Sequence, residues 1–576
     1  MTILNGIGGS AGYGSGVAAV KRRAAPEPER YTIADPVAEE QRFRDAQNSC
    51  EKHLNKLLVD SAGHSKDAEE IISAYLVILQ DEAFFRKALK RLNTELVNIE
   101  YLIYDECQIV MAKFSALDDP YLKERAVDIK NVCDDLIRTL LGQENDLILS
   151  PVKGEGIIVV AEDLTPAETM KMDKSVLRGF VTAKGGATSH TVIMAKALGI
   201  PAIVGVSGAL EAIADGDMLL LDAFLGTVTI DPDDSSLSAF NDIYQNYENQ
   251  LQQSAEAASM PAISKDGYHV DVNVNTGDTE SIKSLDWSKC DGVGLLRTEF
   301  LYMAHDDYPD EETQFEVYSE LAKNANGKEV IIRTLDIGGD KQVRYMDLPA
   351  ENNPFLGYRA IRICLDRRDV FHTQLRAILR ASAFGNVKIM FPMIVCSEEL
   401  RDAKKCVEDA KHSLRKENIK FREDIPVGIM VETPAAVLVS EHLARDSDFF
   451  SIGSNDLIQY TTATDRMSEQ VQDLYDSCNP AVLRAICIVA HNAKEANIPW
   501  GICGEVGSEA RLIPLWVTLG VSELSVSPSM VGRVKALIRK VDRNKLRPEM
   551  ERILDLQYID EIKQELDAIV ESVNSI

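Results

Sequence analysis

Between residues 35 and 142, apolar side chains recur every three or four positions. Phe43, Ala46, Cys50, Leu54, Leu57 and Leu58 form one stripe, and Ile71, Ile72, Tyr75, Ile78 and Leu79 a second. Leu122, Ala126, Ile129, Cys133, Leu136, Ile137 and Leu140 form a third, which stops at Gly142. This period is helical, and Asp35 with Pro36 makes a helix entry, so the pattern predicts an all-α subdomain of about four helices inserted into something else. The flanks read differently. GIGGSAGYGSGVAAV, near the start, is a Gly-rich turn leading into a short apolar strand. From 147 to 231 short apolar runs alternate with turns: LILSP, GIIVVAED, GFVTAKGG, PAIVGV, DMLLLDA and GTVTIDP. Several strands with one or two helices predict a compact α/β domain around the insertion.

Residues 233–262 are polar and helix-prone without a strong apolar stripe, which predicts a connecting helix and a boundary. Beyond it, eight β-like runs alternate with helical stretches: HVDVNV from His269, GVGLL from Gly292, EVIIRTL from Glu329, VKIMF from Val387, VGIMV from Val427, FFSIG from Phe449, PWGIC from Pro499 and ELSV from Glu523. Eight strand-then-helix units predict a (β/α)8 TIM-type barrel. The expected organisation is therefore an α/β multidomain chain. Residues 1–20 and 145–232 form an α/β domain, 21–144 the helical subdomain, 233–262 the linker helix and 263–576 the barrel.

A chain of 576 residues exceeds what one core supports, which agrees with that division. The net charge of -29 speaks against a nucleic-acid or anionic-membrane binder and permits a basic protein partner. Ten cysteines without a C-x-x-C pair suit a reducing compartment, and neither a signal peptide nor a membrane-spanning run is evident. A cytoplasmic protein without membrane insertion is the expectation.

Candidate chemistry gathers in two places. The first is KGGATSHTVIMAKALGIPAIVG, residues 184–205. Gly185 and Gly186 reach backbone conformations closed to other residues, Thr188 and Ser189 are natural helix caps, and Gly199 before Pro201 is a stop signal. Ile193, Met194, Ala197 and Leu198 fall on one expected face. His190 then stands in the first helical turn, where the dipole disfavours imidazolium and favours an arriving anion. A neutral imidazole there is a nucleophile toward phosphorus, or simply a partly exposed polar residue. DLTPAET, 163–169, is a capped helix start whose hydroxyls could reach it.

The second place is the end of the barrel strands, where the chemistry of such barrels sits. Arg297 follows the second run, Arg333 ends the third, Glu432 follows the fifth, Asn455 and Asp456 follow the sixth and Cys503 follows the seventh. Arg359 and Arg466 lie in long loops. Guanidinium groups clamp phosphate and carboxylate bidentately, and two carboxylates suit Mg2+, which completes its shell with water and substrate oxygens. The implied ligand is a small phosphorylated carboxylic acid. Cys503 is either a proton donor to a carbanion or enolate, or a small buried hydrophobe. On the helical subdomain, Asp67, Glu69, Glu70, Asp81 and Glu82 form an acidic face that is either solvated or a docking surface for a basic partner.

GGATSHTVIMAKALGIPAIVG resembles the phosphohistidine signature of the phosphoenolpyruvate-utilising enzymes, and DFFSIGSNDLIQYTTATDR, 448–466, resembles their second signature. GLLRTEFLYM, RTLDIGGDK, NPFLGYRAIR, ASAFGNVKIMFPM, MVETPAA and GICGE extend the resemblance over essentially the whole chain. They point to the branch that opens bacterial sugar phosphotransferase systems. The resemblance implies that phosphoenolpyruvate phosphorylates Nε2 of His190 with Mg2+ present and leaves pyruvate, and that the group then passes to a histidine of the phosphocarrier protein HPr. It also implies that Arg297, Arg333 and Arg359 hold phosphate, and that Asn455 and Arg466 hold the rest of the substrate. Glu432 and Asp456 would bind Mg2+, Cys503 would be the acid, Thr169 would orient His190, and the barrel would form a homodimer.

The chain departs from the family at Ala187 and Lys196, where arginines are usual, which implies a weaker hold on the phosphorylated state. Family members that also bind a nucleotide carry a further domain of several hundred residues, for which 576 residues leave no room. The nitrogen branch would need an additional N-terminal sensory domain. A sensor that binds phosphoenolpyruvate without being phosphorylated is the competing reading, which Ala187 slightly favours and the remaining site residues oppose.

Overall fold

A computed structural model describes residues 1–21, 26–61, 66–115, 120–143, 156–164, 168–169, 172, 175–186, 189–339, 341 and 343–575. For some helical residues, His190, Asp67, Glu69, Glu70 and Glu82 among them, the backbone but not the side chain is described. The chain divides into two compact units, Met1–Glu248 and Asn249–Ile576.

The first unit holds an eight-stranded sheet of β1 (Thr2–Asn5), β2 (Ile7–Ser10), β3 (Tyr13–Lys21), β4 (Ile157–Ala161), β5 (Leu177–Thr182), β6 (Ala202–Val204), β7 (Met218–Asp222) and β8 (Thr227–Ile230). Their order is β1-β8-β7-β3-β4-β5-β6-β2. The pairs β3–β4, β4–β5 and β5–β6 are parallel and the remainder antiparallel. Every residue of β4 is buried, the pattern of a central strand covered on both faces. Ile158 and Val160 belong to one core, and Ile157, Val159 and Ala161 to another. The opening segment, expected to be a turn and one strand, forms three, because Gly6, Gly8 and Gly9 let the chain fold tightly against Val204, Ala223 and Val192. The run LILSP lies outside the described residues.

Among its described residues the insertion contains five helices rather than about four: Pro36–Ser61, Lys66–Gln80, Glu82–Glu95, Ile99–Ser115 and Pro120–Leu140. Phe43, Leu54, Ile72, Tyr75, Leu79, Cys133, Leu136 and Ile137 of the predicted stripes close on one core, joined there by Phe85, Leu92, Leu102 and Ile103 from two helices that the predicted stripes did not include. The connecting helix spans Asp234–Ala258. Asp233 caps it through Ser236 N–H at 2.8 Å, and Phe240 and Tyr247 pack edge-on against Tyr13. Those aromatics give it an anchored stripe that its polar composition conceals.

The second unit is a closed parallel barrel. All eight predicted runs become strands: β9 (Asp271–Thr276), β10 (Gly292–Leu296), β11 (Glu329–Arg333), β12 (Asn386–Phe391), β13 (Val427–Val431), β14 (Phe450–Gly453), β15 (Trp500–Cys503) and β16 (Glu523–Val526). Each pairs with the next, and β16 returns to β9. Leu295, Ile331, Met390, Met430, Phe449 and Cys503 form a small cluster distinct from the large core shared by strands and helices. Among the described residues no helix is long and apolar enough to cross a membrane.

Candidate active site

Because the barrel strands are parallel, their C-terminal ends meet at one rim. Arg333 is the last residue of β11, Cys503 the last of β15, and Arg297 and Glu432 come immediately after β10 and β13. Gly453 ends β14, and the helix Ser454–Thr462 that follows carries Asn455 and Asp456 in its first turn.

The rim is an ion network. Arg333 donates through Nη2 to Glu299 and lies 3.0 Å through Nη1 from Oδ2 of Asp336. Arg359 reaches the same Asp336 through Nη2, at 2.9 Å from Oδ1 and 3.1 Å from Oδ2, and through Nε at 3.3 Å from Oδ1. Arg359 also lies 3.4 Å from Asp456, which Arg466 approaches at 3.5 Å. Lys341 is 3.5 Å from Glu299. Arg333, Arg359, Asp336 and Glu432 are 5%, 2%, 1% and 1% exposed, so these charges interact in a low dielectric. Removing one partner of such a buried pair costs about 3–5 kcal/mol.

Burial alone would raise the Asp336 pKa, but Arg333, Arg359 and Lys341 together hold it far below the carboxylate range. Glu432 goes the other way, pushed up to about 8 by burial, with Asp456 and Asp336 adding to the effect against Arg333 and Arg359. A buried carboxyl that is costly to ionise beside a second carboxylate is where a divalent cation lowers the energy most. Glu432 Oε1 accepts the Met393 N–H at 2.6 Å, while Oε2 lies against Gly453, where a Cβ would come within 2.7 Å. The hard oxygen donors of Glu432 and Asp456 are of the kind that suits Mg2+.

Glu299 Oε2, Arg333 Nε and Thr334 Oγ1 are buried at the rim without a partner among the described residues. Arg297 is exposed and makes no ion pair among them, so the rim contains a free cation as well as the paired ones. Phe355, from the NPFLGYRAIR segment, carries Arg359 on its ring at 5.9 Å and Arg466 at 5.6 Å. Asn455 Oδ1 accepts the Glu505 N–H at 3.4 Å. Cys503 is 2% exposed, with Sγ 3.4 Å from the Ile452 carbonyl, and burial raises its pKa to about 11. It packs in the apolar cluster, with the charges of Arg333 and Glu432 nearby.

In the first unit, His190 opens the helix His190–Leu198. Ser189 occupies the N-cap position with extended backbone, but its hydroxyl makes no cap bond, so an expected cap is geometric only. Gly199 ends the helix at φ 68 and Gly185 adopts φ 101, both as expected for glycine. The buried face is Thr191, Val192, Met194 and Ala195, whereas Ile193 and Leu198 are only half-buried. The helix is turned from its expected orientation because Val192 packs onto Gly9 of β2 and Thr191 bonds Asp163 Oδ1 at 3.1 Å. Asp163 and the Leu164 carbonyl thus meet the helix at Thr191, the residue after the histidine. Thr169 is buried, 1% exposed. The side chain of His190 and the whole of Ala187 and Thr188 lie outside the described residues.

Among the acidic candidates of the helical subdomain, Asp67, Glu69, Glu70 and Glu82 have side chains outside the described set. Asp81 is exposed and accepts the Phe84 N–H at 3.2 Å, a capping bond at the entry of Glu82–Glu95. The helix Lys66–Gln80 packs against the helix that begins at His190.

Sequence reasoning missed Glu299, Asp336, Lys341 and Tyr460, whose Oη accepts from Arg359 at 3.1 Å. The first three sit inside the quoted segments GLLRTEFLYM and RTLDIGGDK, and an acid three residues after Arg333 was a signal available in the sequence.

Three models of the PEP-utilising enzyme family match the chain: the PEP-binding domain over 251–543, the mobile domain over 153–226 and the N-terminal region over 5–125. A Bacillus subtilis (strain 168) protein named phosphoenolpyruvate-protein phosphotransferase is 39% identical over 569 residues, 98% of each chain. Proteins of that name from Geobacillus stearothermophilus and Staphylococcus carnosus (strain TM300) are each 38% identical, covering 97% and 95% of this chain and 96% of their own.

Proposed function

The chain belongs to the PEP-utilising enzyme family and acts as a phosphoenolpyruvate-protein phosphotransferase; we propose that it does so through His190 and the barrel rim. The observation that carries this reading is the convergence of Arg333 and Arg359 with Glu432 and Asp456, all buried, at the ends of parallel strands. Phosphoryl transfer asks for positioning and charge neutralisation more than for covalent help. Arg297, Arg333 and Arg359 hold the phosphate of phosphoenolpyruvate, while Asn455 and Arg466 orient its remainder. Glu432 and Asp456 would hold Mg2+, which when bound would neutralise phosphate charge.

The lone pair on Nε2 of His190 forms the new bond to phosphorus, and the bond from phosphorus to the enol oxygen breaks. The electron pair stays on the pyruvate enolate, whose carbon takes the Cys503 thiol proton. Solvent returns that proton to the sulfur. A thiol pKa near 11 keeps the donor protonated at neutral pH. Thr169 orients the imidazole. The group then leaves His190 for a histidine of HPr docked on the helical subdomain, to which the histidine helix is adjacent through Lys66–Gln80. In this reading the domain boundaries are those given above, and the barrel pairs with a second copy.

Incubation with phosphoenolpyruvate labelled in its phosphoryl group, with Mg2+, tests the reading. One label per chain at His190, gained as pyruvate forms and then chased onto added HPr, is expected. Binding without labelling, or labelling that survives His190→Ala, overturns it.

A further inference from the structure

We propose that Asp336 is a positioning residue for the reaction: the carboxylate wedge that sets the two buried arginines as a phosphate clamp, without itself serving as a metal ligand. The inference rests on the reading above. Arg333 comes from the end of β11 and Arg359 from the loop well beyond it, yet both terminate on this one carboxylate. Two guanidinium groups brought together at 5% and 2% exposure repel strongly unless an anion stands between them. The substrate phosphate arrives only after the clamp must already exist, so a resident anion has to hold it.

Asp336 answers each requirement. Its oxygens are saturated by arginine: Oδ1 takes Arg359 Nη2 at 2.9 Å and Nε at 3.3 Å, and Oδ2 takes Arg359 Nη2 at 3.1 Å and Arg333 Nη1 at 3.0 Å. Glu432 differs: its Oε1 accepts only the Met393 N–H, and among the described residues its Oε2 makes no hydrogen bond and no arginine terminates on it. The guanidinium groups keep atoms to spare. Arg333 Nε is buried without a partner, a donor left over for an arriving oxygen.

The wedge is itself fixed from behind. Gln374 is fully buried, accepts the Leu335 N–H at 2.9 Å and donates to Thr298 Oγ1 at 3.1 Å, and Thr298 Oγ1 donates to the Arg333 carbonyl at 3.0 Å. On the other side, Ala360 N–H donates to the Ile337 carbonyl at 3.0 Å, tying the segment that carries Arg359 to the one that carries Asp336. Backbone and side chain thus hold the acid in register with both arginines. Glu299 has a narrower role, since it touches Arg333 and Lys341 but not Arg359.

The test uses the full chain with Asp336→Asn and Asp336→Glu. Steady-state kinetics with phosphoenolpyruvate at saturating Mg2+ is read beside Mn2+ binding to the protein alone, followed by electron paramagnetic resonance, and beside the Tm. Loss of a shared charged partner at two guanidiniums corresponds to a KM rise of roughly 10- to 100-fold. The expected result is that rise in Asp336→Asn with the Mn2+ dissociation constant unchanged, and a smaller KM rise in Asp336→Glu, which keeps the charge but displaces it by a methylene. If Asp336→Asn fails to fold, Asp336→Glu with a parental Tm carries the test. Parental KM in a folded variant, or Mn2+ affinity falling in step with activity, overturns the proposal. A parent chain that does not consume phosphoenolpyruvate overturns the functional reading instead.

Discussion

Glu432 and Gly453 are in contact across neighbouring strands: a Cβ on Gly453 would sit 2.7 Å from Glu432 Oε2 and 2.9 Å from its Cβ. The smallest side chain at the end of β14 is therefore a condition for where this carboxylate points. Gly453→Ala forces Glu432 aside while leaving every charge in place. The expected outcome is loss of Mn2+ affinity and of phosphotransferase activity by at least roughly tenfold, the scale at which supporting groups act on metal sites. Isothermal titration with Mn2+ checks it, and unchanged affinity would show that Glu432 does not hold the metal.

Glu523, at the start of β16, gives a prediction about stability. Among the described residues its Oε1 is buried without a hydrogen-bond partner, and it lies 1.8 Å from where a Cβ on Gly294 would be. Burial pushes its pKa up to about 8, with Glu329 and Asp271 adding to the effect and Asn273 and Lys388 opposing it. An unfolded Glu titrates near 4.3, so the native state binds this proton more tightly. The stability contributed by Glu523 is full below about pH 4 and is lost as pH rises through about 8. Glu523→Gln, neutral at all pH, should raise Tm by about 3 °C or more at pH 9, with the gain shrinking toward pH 5. Calorimetry of both proteins across that range checks it, and a gain that grows as pH falls would reverse the assignment.

Cys503→Ala separates the two halves of the reaction. With Cys503 as the proposed proton donor, its removal leaves phosphorus transfer to His190 possible and slows conversion of the enolate to pyruvate. A fall of about 10²- to 10⁴-fold in pyruvate formation is expected. Quenched-flow measurement of label on the protein beside pyruvate released distinguishes this from loss of packing, which would lower Tm and slow both equally.

Ala187 stands where the family resemblance leads one to expect an arginine. Restoring a guanidinium with Ala187→Arg should lengthen the lifetime of the phosphorylated chain, because arginine pairs bidentately with phosphate. Phosphoryl-label decay at neutral pH measures it, and an unchanged half-life would remove the idea.

How far the sequence alone reached can be followed residue by residue. The eight barrel strands were legible because each is a short apolar run between turn signals, and the rim positions of Arg333, Glu432, Asp456 and Cys503 followed by counting to the strand ends. The same counting passed over Glu82–Glu95, where Phe85, Ala88 and Leu92 do keep the helical spacing, and Ile99–Ser115, where so many positions are apolar that no single stripe stands out. It also failed at the histidine helix, whose buried face is chosen by Gly9 and Asp163 rather than by its own period.

Period and motif are local properties, so the sequence by itself determined the strands, the loops between them and the family to which they belong. Which charges meet is not local. Asp336 joins Arg333 to Arg359, Glu432 faces Gly453, and Glu523 of β16 comes beside β9 and β10 only because the barrel closes. Pairing and burial then set the charge each group carries, holding Asp336 ionised while pushing Glu432 and Glu523 up to about 8. Those states depend on every neighbour at once, through distances and a dielectric that exist only after the chain has folded.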